Sequence, residues 1–428
     1  IFTYRPEFVH TWGGRSYHNQ ITLNRLSNRE SLFMVVHLLE TQEMDKDLEK
    51  LILEKTEGVP FFIEELLKSL KDMKIIGKKD SKYQLTKDVE AVAIPSTIQD
   101  MIMARVDSLP DATRTVLQTG SVIEREFSYD LIKRVAGLPE KPLLTHLSTL
   151  KDSELLYERG IYPQTSYIFR HALTREVVYD LILTSKRQNL HEEIGRAIEE
   201  TYKNNLDEYY GVLAEHFIAS ENYEKGAEYS RLAGRKAEKT ASLNDAINYA
   251  KKRVSCIEKL PQTDEVQRKL IDARTALGLY MAHMNRLFEA KEAIDPIFDL
   301  AIKHDYKRRV CQIYAILGTY NYFVEEDFAE AFRVLEEALK ISEEVKDVLT
   351  LNVASVWLGA ALSFNCQFDR GIPYFKKALD MSMATKILYA IALIKSNLAY
   401  ISYFNQGRIN LGFQTTCEAF QIAEESGD

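Results

Sequence analysis

The residues of this chain whose types and spacing could support catalysis are few. His191 opens the sequence HEEIG, which lacks the second histidine of the zinc-binding pattern HExxH. Gly77 and Lys78 form a Gly-Lys pair, but Lys79 follows where a phosphate-binding loop, GxxxxGK[ST], needs a Ser or Thr. The sequence also has no GxSxG turn for a nucleophilic serine. We therefore expect neither a catalytic residue nor a metal site.

Gly58 and Pro60 flank Val59 directly before the amphipathic segment PFFIEELLKSL. Proline fixes φ near the helical value and has no amide to donate, so Pro60 suits the first turn of a helix. Glycine lets the chain turn and lets another group approach the main chain closely. The pattern predicts a helix that begins at Pro60 after a close contact at Gly58, and it leaves open which group makes that contact.

Composition and charge limit the classes of function. The 428 residues suggest about two to four domains, and an apolar content of 46% is ample for several cores. A net charge of -8 leaves no broad basic surface, so we expect no nucleic-acid partner. No apolar stretch reaches the ~20 residues that span a bilayer, so we expect no membrane contact. The widely spaced cysteines predict buried free thiols in a reducing cytoplasm: Cys256, Cys311, Cys366 and Cys417.

The first two stretches of the chain differ in pattern. Residues 1–20 open with IFTY, which is typical of the end of a buried strand, and no initiator Met precedes it. We therefore expect the chain to start inside a domain. Residues 21–93 predict helices, with a capping box formed by Ser27 and Glu30 and a short hairpin over 74–88.

The remainder predicts two further helical regions. Residues 94–190 predict helices that end in a β-hairpin around a Gly/Pro turn, the order of elements in a winged helix. Residues 191–428 carry no strand pattern, and small residues recur there every 40 or 41 positions. Two helices cross closely only where side chains are small, so this period predicts an α-solenoid of helical hairpins. The three registers are Gly278, Gly318, Gly359 and Ala399; Ala290, Ala331, Gly371 and Gly412; and Ile297, Ala338, Ala378 and Ala419.

The order of small and large residues resembles the tetratricopeptide repeat (TPR), whose usual period is ~34 residues. The longer period here predicts extended helices. The resemblance implies a protein partner bound through the repeats. The aromatic residues of the repeats fit either core packing or a peptide-binding concave face, as for Tyr314, Tyr320, Tyr322 and Phe323.

Five motifs in order resemble the STAND class of AAA+ ATPases, and in particular the module that follows adenylate/guanylate cyclase or protein kinase domains in bacteria. The resemblance implies a mainly α fold made of a remnant of an AAA+ α/β domain, a helical lid, a winged-helix domain and the TPR-like α-solenoid. It covers nearly the whole chain. The motifs are TYRPEF (3–8), EGVPFFIEELLKSL (57–70), IPSTIQDMIMARVDSLP (94–110), TGSVIEREFSYDLI (119–132) and FRHALTREVVYDLIL (169–183).

The resemblance implies ATP or ADP as the ligand and assigns four residues to it. Arg5 matches the sensor-1 arginine that faces the terminal phosphate, which a guanidinium pairs through two donors. Gly58 and Pro60 match the GxP turn beside the adenine. His171 matches the winged-helix histidine that senses the diphosphate, at a helix N-terminus that favours phosphate. A surface arginine, a plain helix start and a core or capping histidine are the alternative interpretations.

The missing motifs limit what this chain does alone. No phosphate-binding loop or metal-binding acidic pair precedes TYRPEF, so magnesium and hydrolysis would belong to the intact parent protein. We expect no bound cofactor and no catalysis for this chain by itself. The resemblance implies that an ATPase core and an output domain lie upstream in the same parent chain.

Three functions stay open from the sequence. The first is a cytoplasmic, nucleotide-switched sensor region of a STAND ATPase, whose repeats bind a protein partner and which controls an upstream adenylate or guanylate cyclase domain. The second is a stand-alone TPR-like interaction scaffold. The third is part of a transcription regulator similar to the maltose-regulon activator, although the candidate recognition segment SYDLIKRVAGL has only two basic residues, Lys133 and Arg134.

Overall fold

The computed structural model describes residues 21, 23–41, 44–72, 75–79, 82–86, 97–161, 164–240, 242–386 and 388–426. These residues belong to two units, Ile1–Leu183 and Thr184–Asp428, and each unit is described by itself. The strand predicted within residues 1–20, together with Arg5, lies outside the described residues.

The first unit begins with three helices and a short hairpin. The Ser27 hydroxyl oxygen accepts from the Glu30 amide and the Glu30 carboxylate accepts from the Ser27 amide, so the predicted capping box is confirmed. The hairpin predicted over 74–88 is confirmed, with Ile76 opposite Leu85. The bounds are α1 (Asn28–Leu39), α2 (Lys46–Thr56), α3 (Pro60–Asp72), β1 (Ile76–Lys79) and β2 (Lys82–Leu85).

Apolar side chains at helical spacing join α1, α2 and α3 into one core. Val35 of α1, Leu48 and Ile52 of α2, and Ile63 and Leu70 of α3 are fully buried in it. Burying a side chain of this size stabilises the fold by about 1.5–3 kcal/mol. The core therefore fixes the direction of α3, which presents its other face to the second half of the unit.

The second half of the first unit combines helices with a small sheet. Thr97 and Asp100 form a second capping box at the start of its first helix. The sheet is antiparallel, with the last strand in the middle, and the predicted terminal hairpin is confirmed by the pairing of Leu156 with Phe169. The bounds are α4 (Ile98–Asp107), α5 (Asp111–Ile123), β3 (Glu126–Ser128), α6 (Tyr129–Ala136), α7 (Glu140–Asp152), β4 (Leu156–Ile161), β5 (Gln164–Phe169) and α8 (Ala172–Asp180).

The second unit consists, in its described residues, of helices joined by short connections. Consecutive helices pack against each other as hairpins, so the predicted mainly α fold with helical repeats is confirmed. None of the helices described here or in the first unit is both long enough and apolar enough to cross a membrane. The bounds are α9 (Thr184–Thr201), α10 (Tyr210–Ala219), α11 (Tyr223–Lys239), α12 (Leu243–Glu258), α13 (Asp264–His283), α14 (Leu287–Ile294), α15 (Phe298–Lys303), α16 (Lys307–Phe323), α17 (Phe328–Glu344), α18 (Val348–Phe364), α19 (Phe368–Thr385), α20 (Leu388–Asn397) and α21 (Ile409–Ser426).

The repeated small residues lie where paired helices approach most closely. A Cβ atom on Gly318 of α16 would lie 2.5 Å from Cγ of Leu335 in α17. A Cβ atom on Gly359 of α18 would lie 3.0 Å from the carbonyl oxygen of Gly371 in α19. The interior has no room for these extra atoms, so the glycines set the helix separation. Gly278 and Gly412 are equally crowded, and the buried alanines of the registers are Ala290, Ala331, Ala338, Ala378, Ala399 and Ala419.

Six described helices of the second unit, α13 and α15 to α19, are each followed by a residue with left-handed backbone. Lys346 has a φ of +56° and Lys386 a φ of +55°, and the series recurs every 20 or 21 positions. Glycine is the usual sequence signal for such an ending, and these positions carry other residues, so the sequence did not predict the series. Its members are Asn285, Asp305, Glu326, Lys346, Cys366 and Lys386.

Two of the repeat helices are irregular. Pro296 lies in a 3-10 turn, Asp295–Ile297, that separates α14 from α15. Proline has no amide to donate and interrupts the helical hydrogen bonds. A π-helical segment, Leu398–Phe404, continues α20 and contains Ala399. No sequence pattern indicated this wider turn, which accommodates an extra residue before α21 begins.

The four cysteines divide into two classes. Cys256 and Cys311 are buried free thiols, and burial raises the pKa of both to about 11. Cys366 and Cys417 are free but exposed, so the prediction that all four are buried is wrong for these two. Cys366 lies in the connection after α18 and Cys417 lies within α21.

Candidate functional site

The main chain of Leu26 makes the close contact at Gly58. The Leu26 amide donates to the Gly58 carbonyl oxygen at 2.8 Å, and a Cβ atom on Gly58 would come 2.1 Å from the Leu26 carbonyl oxygen. Gly58 also has a φ of +73°, which other residues rarely adopt. The contact with the main chain of Leu26 therefore requires glycine at position 58. Pro60 follows as the first, exposed residue of α3.

His171 packs against the first turn of α3. Its ring centroid lies 3.8 Å from that of Phe61, with the ring planes inclined by 32°. Phe61 directly follows Pro60, and His171 directly precedes α8 as its N-cap residue. The structure thus brings the Gly58–Pro60 turn and His171 to one place, although they are far apart in sequence.

The Nε2 atom of His171 is buried and has no hydrogen-bond partner among the described residues. The Glu64 carboxylate lies 3.9 Å from this atom, too far for a hydrogen bond. Burial lowers the pKa of His171, and this effect outweighs the opposite influence of Glu65 and Glu64; Arg170 and Lys68 lower it further. The imidazole is therefore neutral at neutral pH and can donate a single N–H.

Ion pairs connect α3 to the hairpin beside His171. Glu154, in the turn after α7, pairs with Lys68 of α3 and with Arg170 at the end of β5. The hydrogen bond from Lys68 is the main cause of the lowered pKa of Glu154. Arg170 also lies 3.8 Å from Glu64, one turn after the Phe61 contact. The residues Glu64, Lys68, Glu154 and Arg170 form a network that we call the α3 charge network.

A buried ion pair lies beside this network. The Glu65 side chain is 1% exposed and pairs with Arg105 of α4, whose side chain is 11% exposed. Nη2 of Arg105 also donates to the carbonyl oxygen of Ser153 at 2.6 Å. A carboxylate this deeply buried depends on its partner, because an unpaired charge in the interior is strongly destabilising. This pair therefore fixes α3, α4 and the end of α7 relative to one another.

An open hollow of about 1000 Å³ adjoins the turn on the side of Leu26. Leu26, Phe33 and Met34 supply apolar walls, and the charged lining residues are two basic, Arg29 and Lys82, and two acidic, Glu30 and Glu49. Phe33 is 76% exposed, unusually high for an aromatic side chain on a helix. The hollow combines apolar surface with charges of both signs next to the Gly58 turn, which suits a ligand with an apolar ring and polar groups.

The structure brings together some of the residues that the sequence assigned to a nucleotide site, and their role stays a prediction. Gly58, Pro60 and His171 come together, while Arg5 lies outside the described residues. Sequence reasoning named none of the α3 charge network, nor Phe61, Glu65 and Arg105. The helical spacing of Glu64 and Lys68 places them on one face of α3, which was the available signal. No group of three or more His, Cys, Asp or Glu side chains that could hold a metal occurs in the described ranges.

Comparison with known proteins gives one family model and one curated relative. Residues 27–83 match the model of a domain of unknown function, DUF8739. An uncharacterized protein of Rhizobium meliloti is 23% identical over 224 residues, which are 52% of this chain and 21% of that protein. The match thus spans about a fifth of the length of the relative.

The solved structures to which the chain is similar include the following three. A STAND protein with a tetratricopeptide repeat sensor from Pyrococcus horikoshii is 14% identical, with a TM-score of 0.36 over 93% of this chain and 60% of that chain. The apo form of RapI is 13% identical, with a TM-score of 0.40 over 56% of this chain and 99% of that chain. Aspartyl phosphate phosphatase F from Bacillus subtilis is 10% identical, with a TM-score of 0.39 over 77% and 85%. All three TM-scores are low, so the likeness is loose.

Proposed function

We propose that this chain is the regulatory and sensor region of a STAND-type signalling ATPase. In this proposal the first unit contributes to an ADP/ATP site and the repeats of the second unit bind a protein partner. The two nucleotides stabilise different arrangements of the first unit, because each makes different contacts with it. The arrangement in turn controls an output domain of the same parent protein, such as an adenylate or guanylate cyclase.

The observation that supports the proposal is the contact between Phe61 and His171. A turn that holds a nucleotide base and a histidine that senses a phosphate must lie close together, and here the two candidate elements touch. The α3 charge network surrounds that contact, with Lys68 and Arg170 opposite Glu64 and Glu154. Ion pairs that can exchange a partner carboxylate for a phosphate are a physical basis for a switch.

The residues present fit a nucleotide in three respects. The unpaired Nε2 of His171 offers one donor, the hollow beside Leu26 offers apolar walls, and Arg29 in that hollow offers a positive charge, which the lining carboxylates Glu30 and Glu49 offset in part. A bound nucleotide would supply the anionic phosphates that complement these groups. Arg5, the candidate sensor-1 residue, would face the terminal phosphate.

Nucleotide titration of the full-length parent protein tests the proposal. We expect ADP affinity measured by calorimetry to fall about tenfold in His171→Ala, since one hydrogen bond to a charged group is lost. We expect Arg5→Ala to weaken the binding of ATP more than the binding of ADP. The matched control is His37→Ala, an exposed histidine of α1, which should leave both affinities unchanged. Unchanged affinities in both site variants, or no nucleotide binding at all, would contradict the proposal.

A second candidate function is a protein-interaction scaffold that acts without nucleotide. The observation that favours it is a groove of about 1900 Å³ that is lined by six helices of the second unit. Under this alternative, partner binding by the repeats would be the same with ADP, with ATP and without nucleotide. Partner affinity measured in these three conditions distinguishes the two functions.

A further inference from the structure

The groove of the second unit is lined by one face each of α11, α12, α13, α16, α18 and α20. Its volume of about 1900 Å³ is larger than the about 300–1,000 Å³ typical of small-molecule pockets. A cavity that crosses this many successive repeats is elongated along the stack, which suits an extended chain better than a compact ligand. We call it the repeat groove.

Arg253 of α12 is the one arginine of the groove that is half-buried and also without a hydrogen bond or ion pair to any described residue. Burial lowers the pKa of its guanidinium to about 10, and although Asp272 opposes this effect, Arg231 and Arg309 add to it. A guanidinium with such a pKa is still charged at neutral pH. An unpaired charge in this position is costly unless an anion arrives to pair with it.

The acidic side chains around Arg253 already have other partners. Glu228 accepts two hydrogen bonds from Arg231, at 3.0 and 2.6 Å. Asp272 accepts from Nε of Arg309 at 2.6 Å and from the Tyr306 hydroxyl at 3.0 Å. Three arginines therefore face two carboxylates, and the surplus positive charge lies at Arg253.

A second unsatisfied group lines the same part of the groove. The Ser230 hydroxyl of α11 is fully buried and has no hydrogen-bond partner among the described residues. Buried hydroxyls nearly always have a partner, so an orphaned one at a cavity wall indicates a position where a ligand or water atom is needed. Ser230 and Arg253 thus indicate independently that this region of the groove receives a polar group.

The other end of the groove is apolar and open to solvent. Val353 of α18 is 42% exposed and Leu393 of α20 is 44% exposed, and Val356 and Trp357 of α18 also line the groove. The groove is lined by four carboxylates, all on α11 and α13, and by seven Lys and Arg side chains, so its charge is net positive. A net positive groove with an apolar wall favours a ligand that carries an acidic group next to apolar side chains.

We propose that the repeat groove binds an extended peptide segment of a partner protein, in which an Asp or Glu carboxylate pairs with Arg253 and apolar side chains pack on Val353, Trp357 and Leu393. The proposal deepens the role that the proposed function gives to the repeats. It does not depend on nucleotide binding by the first unit.

Binding to defined peptides tests the assignment. The probe is an array of C-terminally amidated peptides of about 10 residues, which reach roughly 33 Å when extended. Each apolar sequence is present in matched forms with a single central Asp or Asn, and each Asp peptide is also present with its apolar residues changed to Ser. The full chain is measured as wild type, as Arg253→Gln, and as Arg333→Gln, which changes an exposed arginine of α17 outside the groove.

We expect wild type and Arg333→Gln to prefer the Asp peptides over the Asn peptides by about tenfold, and Arg253→Gln to lose that preference. Loss of binding when the apolar residues become Ser is also expected. The proposal is overturned if no peptide binds, if Asp and Asn peptides bind equally, or if Arg253→Gln keeps the preference. It is likewise overturned if a single-stranded oligonucleotide binds to the groove more tightly than any peptide. Nucleotide affinity of the full-length Arg253→Gln protein should equal wild type, which separates this result from failure of the proposed function.

Discussion

The imidazole of His171 lies on the phenyl ring of Phe61, with ring centroids 3.8 Å apart, so the first turn of α3 and the start of α8 are held face to face. Aromatic contacts of this kind contribute about 0.5–1.5 kcal/mol beyond the area that they bury. The contact is sensitive to the charge of the imidazole, because protonation would bury a cation beside Arg170 and Lys68 as well as beside Glu64 and Glu65.

Acidification should loosen this contact. The pKa of His171 is lower in the folded chain than its ordinary value of about 6.5, so the unfolded chain binds the proton first. The stability that the neutral imidazole of His171 contributes to the fold is therefore fully present above about pH 6.5. It is lost as the pH falls through the pKa of His171 in the folded chain. We expect hydrogen exchange of α3 and α8 amides, corrected for intrinsic rates, to accelerate over that range in wild type and less so in His171→Gln. An equal pH dependence in both proteins would contradict the assignment, and His37→Gln should behave as wild type.

The buried pair of Glu65 and Arg105 should be much more sensitive to loss of one partner than to loss of both. Arg105→Met leaves the 1% exposed Glu65 carboxylate unpaired, which costs about 3–5 kcal/mol of unfolding free energy. The double variant with Glu65→Leu should recover most of that loss. Urea unfolding followed by circular dichroism measures the difference.

The control for the ion pair is Arg159→Met, which removes a 73% exposed arginine that lies 3.8 Å from Glu126. We expect this surface change to cost less than about 1 kcal/mol. If Arg105→Met is no more destabilising than this control, Glu65 is not held as a buried carboxylate.

Gly58 should tolerate no side chain. Gly58→Ala combines a φ of +73° with a Cβ atom 2.1 Å from the Leu26 carbonyl oxygen, so we expect a loss of about 3 kcal/mol in unfolding free energy. Gly137→Ala is the matched control, because Gly137 has a φ of +61° and no atom within 4 Å of the added Cβ. It should cost only about 1 kcal/mol, the backbone part of the effect. If thermal or urea unfolding shows equal losses of stability in Gly58→Ala and Gly137→Ala, the steric contact of Leu26 with position 58 is contradicted.

Two glycines of the second unit, Gly318 and Gly234, should respond in opposite ways to substitution by alanine. Gly318→Ala places a Cβ atom 2.5 Å from Leu335 and is expected to destabilise by about 1–3 kcal/mol through overpacking. Gly234→Ala, in α11, meets nothing closer than 3.5 Å and should stabilise by about 0.5–1 kcal/mol, because alanine favours a helix more than glycine does. Urea unfolding of the two variants measures the sign of each change.

Local sequence signals predicted much of the fold. The capping box at Ser27 and Glu30 and the two hairpins depend on residues close together in the chain, and the structure contains them. The period of small residues predicted helical hairpins because each crossing imposes the same steric limit, as the contact of Gly318 with Leu335 illustrates.

The electrostatics of the site could not be predicted in the same way. Glu65 and Arg105 are 40 residues apart, and Lys68 and Glu154 are 86 apart, so their pairing depends on how the helices pack. A charged residue on an amphipathic helix is usually solvated, and nothing local marks Glu65 as buried. The isolation of Arg253 is equally non-local, since it arises because Arg231 and Arg309 engage the nearby carboxylates.

The left-handed helix endings of the second unit offer a way to tune its rigidity. The left-handed conformation costs a residue with a side chain about 1 kcal/mol of folding free energy. Glycine would remove most of this strain, although it would also increase the conformational entropy of the unfolded chain. Glu326, Lys346 and Lys386 lie in connections and outside the repeat groove, so changing them to glycine one after another would give a graded series of firmer solenoids with an unaltered binding surface. Such a series would measure how strongly the flexibility of the repeat stack affects its affinity for a partner.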